Sequence, residues 1–171
     1  MKIIVLCVCV LGFASSNLVE DEIKRQFKNA VSRENNFETC MTENNVTFDD
    51  WYREEEIMTD VYKKPENEEK TRKLGCTLAC FLKKENLMED SKIKEGKVHA
   101  KINKIYDGSR DEGKIHKIAR NCMKEVKNIT EECEKCFSLF TCATRAVHKL
   151  QKHEEHERPE INENEETEQT I

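Results

Sequence analysis

Thiols are the side chains of this sequence best suited to chemistry, because most of them recur in a distinctive pattern. The numbers of residues that lie between successive members of a set of six cysteines are 35, 3, 41, 10 and 8. Cys76 and Cys80 have helical i,i+4 spacing, so in a helix both thiols face one side and can join that helix to two other segments. This pattern indicates disulfide formation, although spacing alone does not choose among the possible pairings. The six are Cys40, Cys76, Cys80, Cys122, Cys133 and Cys142.

A seventh cysteine, Cys136, stands in a Cys-x-x-Cys sequence with Cys133. That spacing also occurs in thiol redox proteins. Because Cys133 belongs to the six-cysteine set, we expect Cys136 to be a buried free thiol. An intermolecular disulfide is the alternative.

Histidines offer a second kind of chemistry. His148, His153 and His156 recur at helical spacing, which leaves a metal site open, but solvated histidines near a helix end account for them more simply. We therefore expect no metal. We take His99 and His148 as candidate pH sensors, because an unperturbed imidazole titrates at about pH 6.5.

No set of catalytic residues emerges from the sequence. Serines are few and lack the strand–turn–helix elbow of a serine nucleophile. A glycine-rich calcium loop of the kind that a secreted phospholipase uses is also missing. We expect neither an enzyme nor a bound cofactor.

Two Asn-x-Thr sequons are candidates for N-glycosylation, at Asn45 and Asn128. Their threonines, Thr47 and Thr130, stand where helices are expected to begin and can serve as N-caps. Capping is thus the alternative role of both sequons.

The first 16 residues have the pattern of a secretory signal peptide. Lys2 precedes an apolar run over 3–14, and small residues follow it. A membrane anchor is the alternative, but the run is short for a span and no second apolar stretch follows. We expect a secreted, extracellular protein with oxidised cysteines, divided into a signal peptide (1–16), a helical domain (17–152) and a disordered acidic tail (153–171).

The charge balance argues against a nucleic-acid partner. Removing Lys2 with the leader lowers the basic count from 29 to 28 against 34 acidic residues, for a net charge of −6. No segment concentrates positive charge without acidic neighbours. We expect a protein that neither binds nucleic acid nor is embedded in a membrane.

The elements that must position these side chains are predicted to be helices. Glycine and proline are scarce, with 5 and 2 residues, and apolar residues recur at helical rather than strand spacing. The sequence predicts an all-α fold of about six helices, with a loop at 88–92. The predicted helices cover 19–41, 47–62, 66–84, 98–106, 115–126 and 130–150.

Taken together, these features resemble insect odorant-binding proteins, and among them most closely the moth pheromone-binding and general odorant-binding branch. The resemblance covers roughly residues 27–150. It is carried by the cysteine spacing, the signal peptide, the six-helix pattern and three local matches: GCTLAC at 75–80, the Glu95-Gly96 segment with His99, and the run at 147–150 after Cys142.

The resemblance implies disulfides Cys40–Cys80, Cys76–Cys133 and Cys122–Cys142, interlocking the helices around an internal apolar cavity. In an arbitrary helical protein, the apolar positions that we take as the cavity wall would be ordinary core. With the resemblance, they become candidate ligand contacts. They are Phe27, Trp51, Met58, Leu78, Leu82, Met88, Val98, Ile102, Ile118, Leu139 and Ala143.

The implied function is that of a secreted carrier that binds small hydrophobic odorants or pheromone-like lipophiles reversibly. It would carry them through aqueous lymph, the sensillar lymph if the role is olfactory. The further implied partner is an olfactory receptor complex, and the implied state is a monomer or weak homodimer. Two alternatives stay open: a secreted helical protein-interaction module, and a non-olfactory lipophile scavenger on the same fold.

Overall fold

The structure, a computed structural model, describes residues 35–157. This part of the chain is mostly helical, which confirms the all-α prediction. Its elements are α1 (Asn35–Glu43), α2 (Glu54–Met58), α3 (Glu68–Lys84), strands β1 (Met88–Glu89) and β2 (Lys92–Ile93), α4 (Glu95–Tyr106), α5 (Glu112–Glu125) and α6 (Glu132–Glu157). The portion of the predicted first helix before residue 35 lies outside the described residues.

The single helix predicted over 47–62 was wrong. The chain there forms short pieces, because the Asp50 carboxylate accepts hydrogen bonds from the Thr47 amide (2.7 Å) and hydroxyl (2.8 Å) and closes one isolated turn. Trp51 is then extended, and Asp60 takes a left-handed φ of 58° that ends α2. Besides α2, the pieces are 3-10 turns at Phe48–Asp50 and Val61–Lys63, and a further 3-10 turn at Pro65–Asn67 precedes α3.

The predicted loop at 88–92 is largely a small antiparallel hairpin. Met88 pairs with Ile93 and Glu89 with Lys92, and Asp90 in the turn has a left-handed φ of 46°. Aspartate adopts that region more readily than most residues. Strands of two residues are too short to show the alternation from which a strand is predicted.

The last helix begins and ends differently from the prediction. It begins at Glu132, and the Glu131 carboxylate, rather than the Thr130 hydroxyl, accepts the main-chain N–H of Cys133 (3.1 Å) and of Glu134. An acidic acceptor suits this position because the N-terminal end of a helix carries partial positive charge. The helix runs on to Glu157, five residues into the segment assigned to the acidic tail.

Helix α3 is the centre of the domain and packs against both α1 and α6, while α4 packs on α5 and α5 on α6. The contact with α6 is close at Gly75, where an added Cβ would lie 2.1 Å from the Cys133 carbonyl oxygen. Glycine is therefore required at this crossing.

Three disulfides reinforce the same contacts, joining α1 to α3, α3 to α6 and α5 to α6. They close loops with sequence separations of 40, 57 and 20 residues. The bonded pairs are Cys40–Cys80, Cys76–Cys133 and Cys122–Cys142, the pairs that the resemblance implies. No helix between residues 35 and 157 combines the length and the apolar character needed to cross a membrane.

Candidate ligand-binding site

Seven of the candidate ligand positions come together in one apolar cluster built on α3. Four are buried members of it: Trp51, Leu78, Leu82 and Met88. Three are partly buried and pack against it: Met58, Val98 and Leu139. The cluster therefore collects residues from the extended segment before α2 and from α2, α3, the hairpin, α4 and α6, which the sequence spreads from position 51 to position 139.

The other candidates are not brought into this cluster. Ile102 is buried, and Ile118 and Ala143 are half-buried, but none of the three belongs to the cluster or packs against it. They lie on α4, α5 and α6. Phe27 lies outside the described residues.

Aromatic side chains that were not among the candidates form much of the cluster. The Phe37 ring is tilted against Trp51, with ring centres 5.8 Å apart, and meets Phe81 edge-on at 5.3 Å. Phe140 meets Trp51 edge-on at 5.6 Å. Such rings belong to the apolar residues that recur at helical spacing in the sequence. Periodicity identifies a buried face, but it does not distinguish core contacts from ligand contacts.

Trp51 differs from the other buried polar residues in its hydrogen bonding. Its side chain is buried, with 8% of the residue exposed, and its Nε1 is the one buried side-chain nitrogen or oxygen in residues 35–157 without a hydrogen-bond partner. The adjacent Tyr52 differs, since its hydroxyl lies 2.9 Å from the Thr71 hydroxyl and 3.4 Å from the Asn67 carbonyl oxygen. Burial raises the pKa of Tyr52, against the effect of the Thr71 hydrogen bond, so it stays a neutral phenol.

Arg145 of α6 holds the end of α2 beside the cluster. Its guanidinium donates to the Ile57 carbonyl oxygen at 3.1 Å, to the Tyr62 hydroxyl at 3.0 Å and to the Asp60 carboxylate. Lys63 chiefly, with further contributions from Arg145 and Tyr62, holds the pKa of the Asp60 carboxyl below its usual range, although burial acts in the opposite direction. Arg145 thus fixes the left-handed turn at which α2 ends.

The pH-sensor candidates have specific partners. His99 on α4 and His116 on α5 face each other with their Nδ1 atoms 2.7 Å apart. Burial, then the charges of His116 and Arg120, lower the pKa of His99, and Glu95 opposes them. His148 on α6 bonds through Nδ1 to the Glu54 carboxylate of α2. The sequence did not predict these partners, because it does not show which helices are neighbours.

Cys136 is free and buried, with 1% of the residue exposed. Its Sγ lies 3.5 Å from the Met88 Sδ, and burial raises the pKa of the thiol to about 12. A thiol in this environment has almost no nucleophilic thiolate at neutral pH. It packs as an apolar group of the cluster.

Other candidate sites are less developed. Cys40, Glu43 and Cys80 converge, but both sulfur atoms are bonded to each other and offer no thiolate to a metal. Asn45 and Asn128 are both exposed and stay glycosylation candidates.

Comparison with known proteins identifies the class to which this arrangement belongs. The sequence pattern of the PBP/GOBP family matches residues 16–146, which include all six disulfide cysteines. The chain therefore belongs to the PBP/GOBP family, a family of proteins that bind small hydrophobic ligands. This confirms the resemblance to insect odorant-binding proteins.

Particular relatives place it beside pheromone-binding proteins. The chain is 27% identical over 136 residues to pheromone-binding protein Gp-9 of Solenopsis nigella gensterblumi, and 28% identical over 134 residues to that of Solenopsis xyloni. Each comparison covers 78% of this chain and 84% of the relative. The same protein of Solenopsis geminata is 29% identical over 134 residues. No solved structure matches the chain.

Proposed function

We propose that the protein is a secreted carrier that binds small, neutral lipophiles reversibly among its helices and has no catalytic activity. The observation that carries this proposal is the apolar cluster around α3, which unites seven of the predicted ligand positions. The cluster contains flexible methionines and aromatic rings, and these can adapt to ligands of different shape. Family membership supports the same class of ligand.

The disulfides explain how such a site could open without unfolding. An internal cavity removes packing contacts that would otherwise stabilise the helices. Here Cys40–Cys80 and Cys76–Cys133 tie α3 to α1 and α6 independently of those contacts. Ligand can then enter and leave while the helices stay joined.

The proposed ligands are odorants or pheromone-like molecules, carried through aqueous lymph to an olfactory receptor complex by a monomer or weak homodimer. A ligand of about 15 heavy atoms that gains about 0.5 kcal/mol per atom would bind near the micromolar range. Expression in antennae would support the olfactory role, whereas expression elsewhere alone would favour a lipophile scavenger on the same fold.

A protein-interaction module is the less favoured alternative. Interaction surfaces expose contiguous apolar patches. Among the described residues, Phe48, at 39%, is the one large apolar side chain that is exposed. Nothing else in residues 35–157 favours an apolar docking face.

The proposed function is tested by displacement of the fluorescent probe N-phenyl-1-naphthylamine. Leu78→Arg places a charge in the buried cluster and should abolish probe binding. Ile118→Asn tests the candidate ligand positions that lie outside the cluster, and Lys117→Asn, at the exposed neighbouring position, is its control. Each variant must keep the helical circular dichroism signal and three disulfides. Unchanged probe binding by both Leu78→Arg and Ile118→Asn would contradict the proposed site.

A further inference from the structure

We propose that the Trp51 indole N–H is the polar contact of the ligand site, and that it selects lipophiles carrying a hydrogen-bond acceptor, such as a ketone, aldehyde or ester oxygen. The inference rests on the proposed carrier function and narrows its ligand class. Its basis is the buried nitrogen that the fold leaves without a partner.

The state of this nitrogen is unusual in a folded protein. Buried polar side-chain atoms are nearly always hydrogen-bonded, and leaving one unpaired is costly. Every other buried side-chain nitrogen or oxygen in residues 35–157 has a partner. The Trp51 indole N–H is therefore an unpaired donor, and a ligand oxygen that accepted a hydrogen bond from it would replace the hydrogen bond to water that the indole loses on folding.

The surroundings of Trp51 explain why a ligand, rather than the protein, would supply the acceptor. Its ring is packed by Phe37 and Phe140, which carry no polar atom. It belongs to the same cluster as Leu78, Leu82 and Met88, whose side chains also offer no oxygen. An apolar ligand body lying against these residues would have one donor available for its functional group.

The chemistry of indole restricts that functional group. Indole nitrogen is a donor only, so the ligand atom must be an acceptor. A carboxylate would have to be desolvated among apolar residues, which is unfavourable without an opposite charge. An alcohol could accept the bond but would leave its own O–H unpaired. Neutral carbonyl compounds fit the site best.

Binding of a matched ligand pair to matched variants tests the inference. Undecane and 2-undecanone differ by one methylene replaced by a carbonyl, and both are measured by displacement of N-phenyl-1-naphthylamine. We expect Trp51→Phe to weaken 2-undecanone about tenfold more than undecane. Because the cycle compares both ligands in both proteins, their different solubility in water cancels.

Tyr52→Phe is the control variant. It removes a polar atom from an adjacent buried aromatic residue, but that hydroxyl already has partners in Thr71 and Asn67. We expect it to affect both ligands equally. A Tyr52→Phe effect specific for 2-undecanone, equal to that of Trp51→Phe, would overturn the assignment to Trp51.

A spectroscopic measurement on the unmodified protein covers the case in which Trp51→Phe does not fold. Trp51 is the only tryptophan of the chain, so its indole gives a single cross-peak in a proton–nitrogen correlation spectrum. We expect 2-undecanone to move the indole proton downfield, as a new hydrogen bond does, and undecane not to. An indole peak that both bound ligands move equally, or that neither bound ligand moves, would overturn the inference.

These outcomes separate the inference from the proposed function. Binding of both ligands without discrimination by Trp51 would overturn the inference and leave the carrier function standing. Failure of the probe and of both ligands to bind the wild-type protein would overturn the carrier function, and the inference with it.

Discussion

The crossing of α3 and α6 at Gly75 gives the sharpest prediction about stability. A Cβ at this position would lie 2.1 Å from the Cys133 carbonyl oxygen and 3.1 Å from the Phe137 Cβ. Ordinary contact begins at 3.4 Å, so Gly75→Ala must move the two helices apart by about 1.3 Å, the difference between these contact distances. The adjacent disulfide Cys76–Cys133 opposes that movement.

The expected size of the effect follows from two opposing contributions. Overpacking a core costs up to about 3 kcal/mol, and a backbone oxygen cannot give way as a side-chain tip can. Replacing a helical glycine by alanine recovers up to about 1 kcal/mol. We expect a net loss of about 2 kcal/mol in the free energy of unfolding and a fall in Tm of about 6 °C for a domain of this size.

The assay is thermal and urea unfolding followed by circular dichroism under non-reducing conditions. Gly96→Ala and Gly113→Ala are controls, because both glycines are in helices and an added Cβ at either meets nothing within 4 Å. They should leave stability unchanged or raise it by about 0.5 kcal/mol. Gly75→Ala as stable as either control would refute the close packing described for α3 and α6.

Three further predictions concern single side chains. Cys136, with a pKa of about 12, should resist iodoacetamide at pH 8 in the native state and be alkylated once the protein is unfolded in guanidinium; rapid native labelling would contradict its burial. The pKa of His99 is lowered by burial and neighbouring positive charge. Between this lowered pKa and the unfolded value of about 6.5, the unfolded chain therefore binds more protons than the folded protein. The stability that His99 contributes is present above about pH 6.5 and is lost as the pH falls through the folded pKa. His99→Gln should therefore reduce the fall in Tm on acidification from pH 7 to 5, whereas Asn103→Gln, at an exposed position of the same helix, should not. Arg145→Gln breaks the contacts of the guanidinium with the Ile57 carbonyl oxygen, the Tyr62 hydroxyl and Asp60 and should lower the Tm. A fall in Tm no larger than that of Lys149→Gln, at an exposed position of the same helix, would contradict the role of Arg145 in holding the end of α2.

Much of the architecture could be predicted from the sequence, because helical periodicity is a local property. The helix predicted over 66–84 is observed at Glu68–Lys84. The i,i+4 spacing of Cys76 and Cys80 correctly indicated a helix joined to two others. Family resemblance supplied the partners, which the spacing alone left open.

Features that depend on long-range contacts could not be predicted in the same way. The periodicity over 47–62 continues through Asp60, whose left-handed conformation is fixed by Arg145 from a distant helix. His116 becomes the partner of His99 only because α4 and α5 pack together. Whether the Trp51 nitrogen finds a hydrogen-bond partner depends on all the residues around the ring, and the sequence does not show which residues these are.

Saturation binding of N-phenyl-1-naphthylamine tests whether the oxidised helical domain holds an internal ligand site. The oxidised protein, with its three disulfides, should bind about one equivalent of probe with a Kd near the micromolar range, and 2-undecanone should displace it competitively. The same chain, reduced and alkylated, should lose this binding, because the site depends on helices held together by the disulfides. Binding that does not saturate, or that is equally strong in the reduced and alkylated chain, would contradict an internal carrier site.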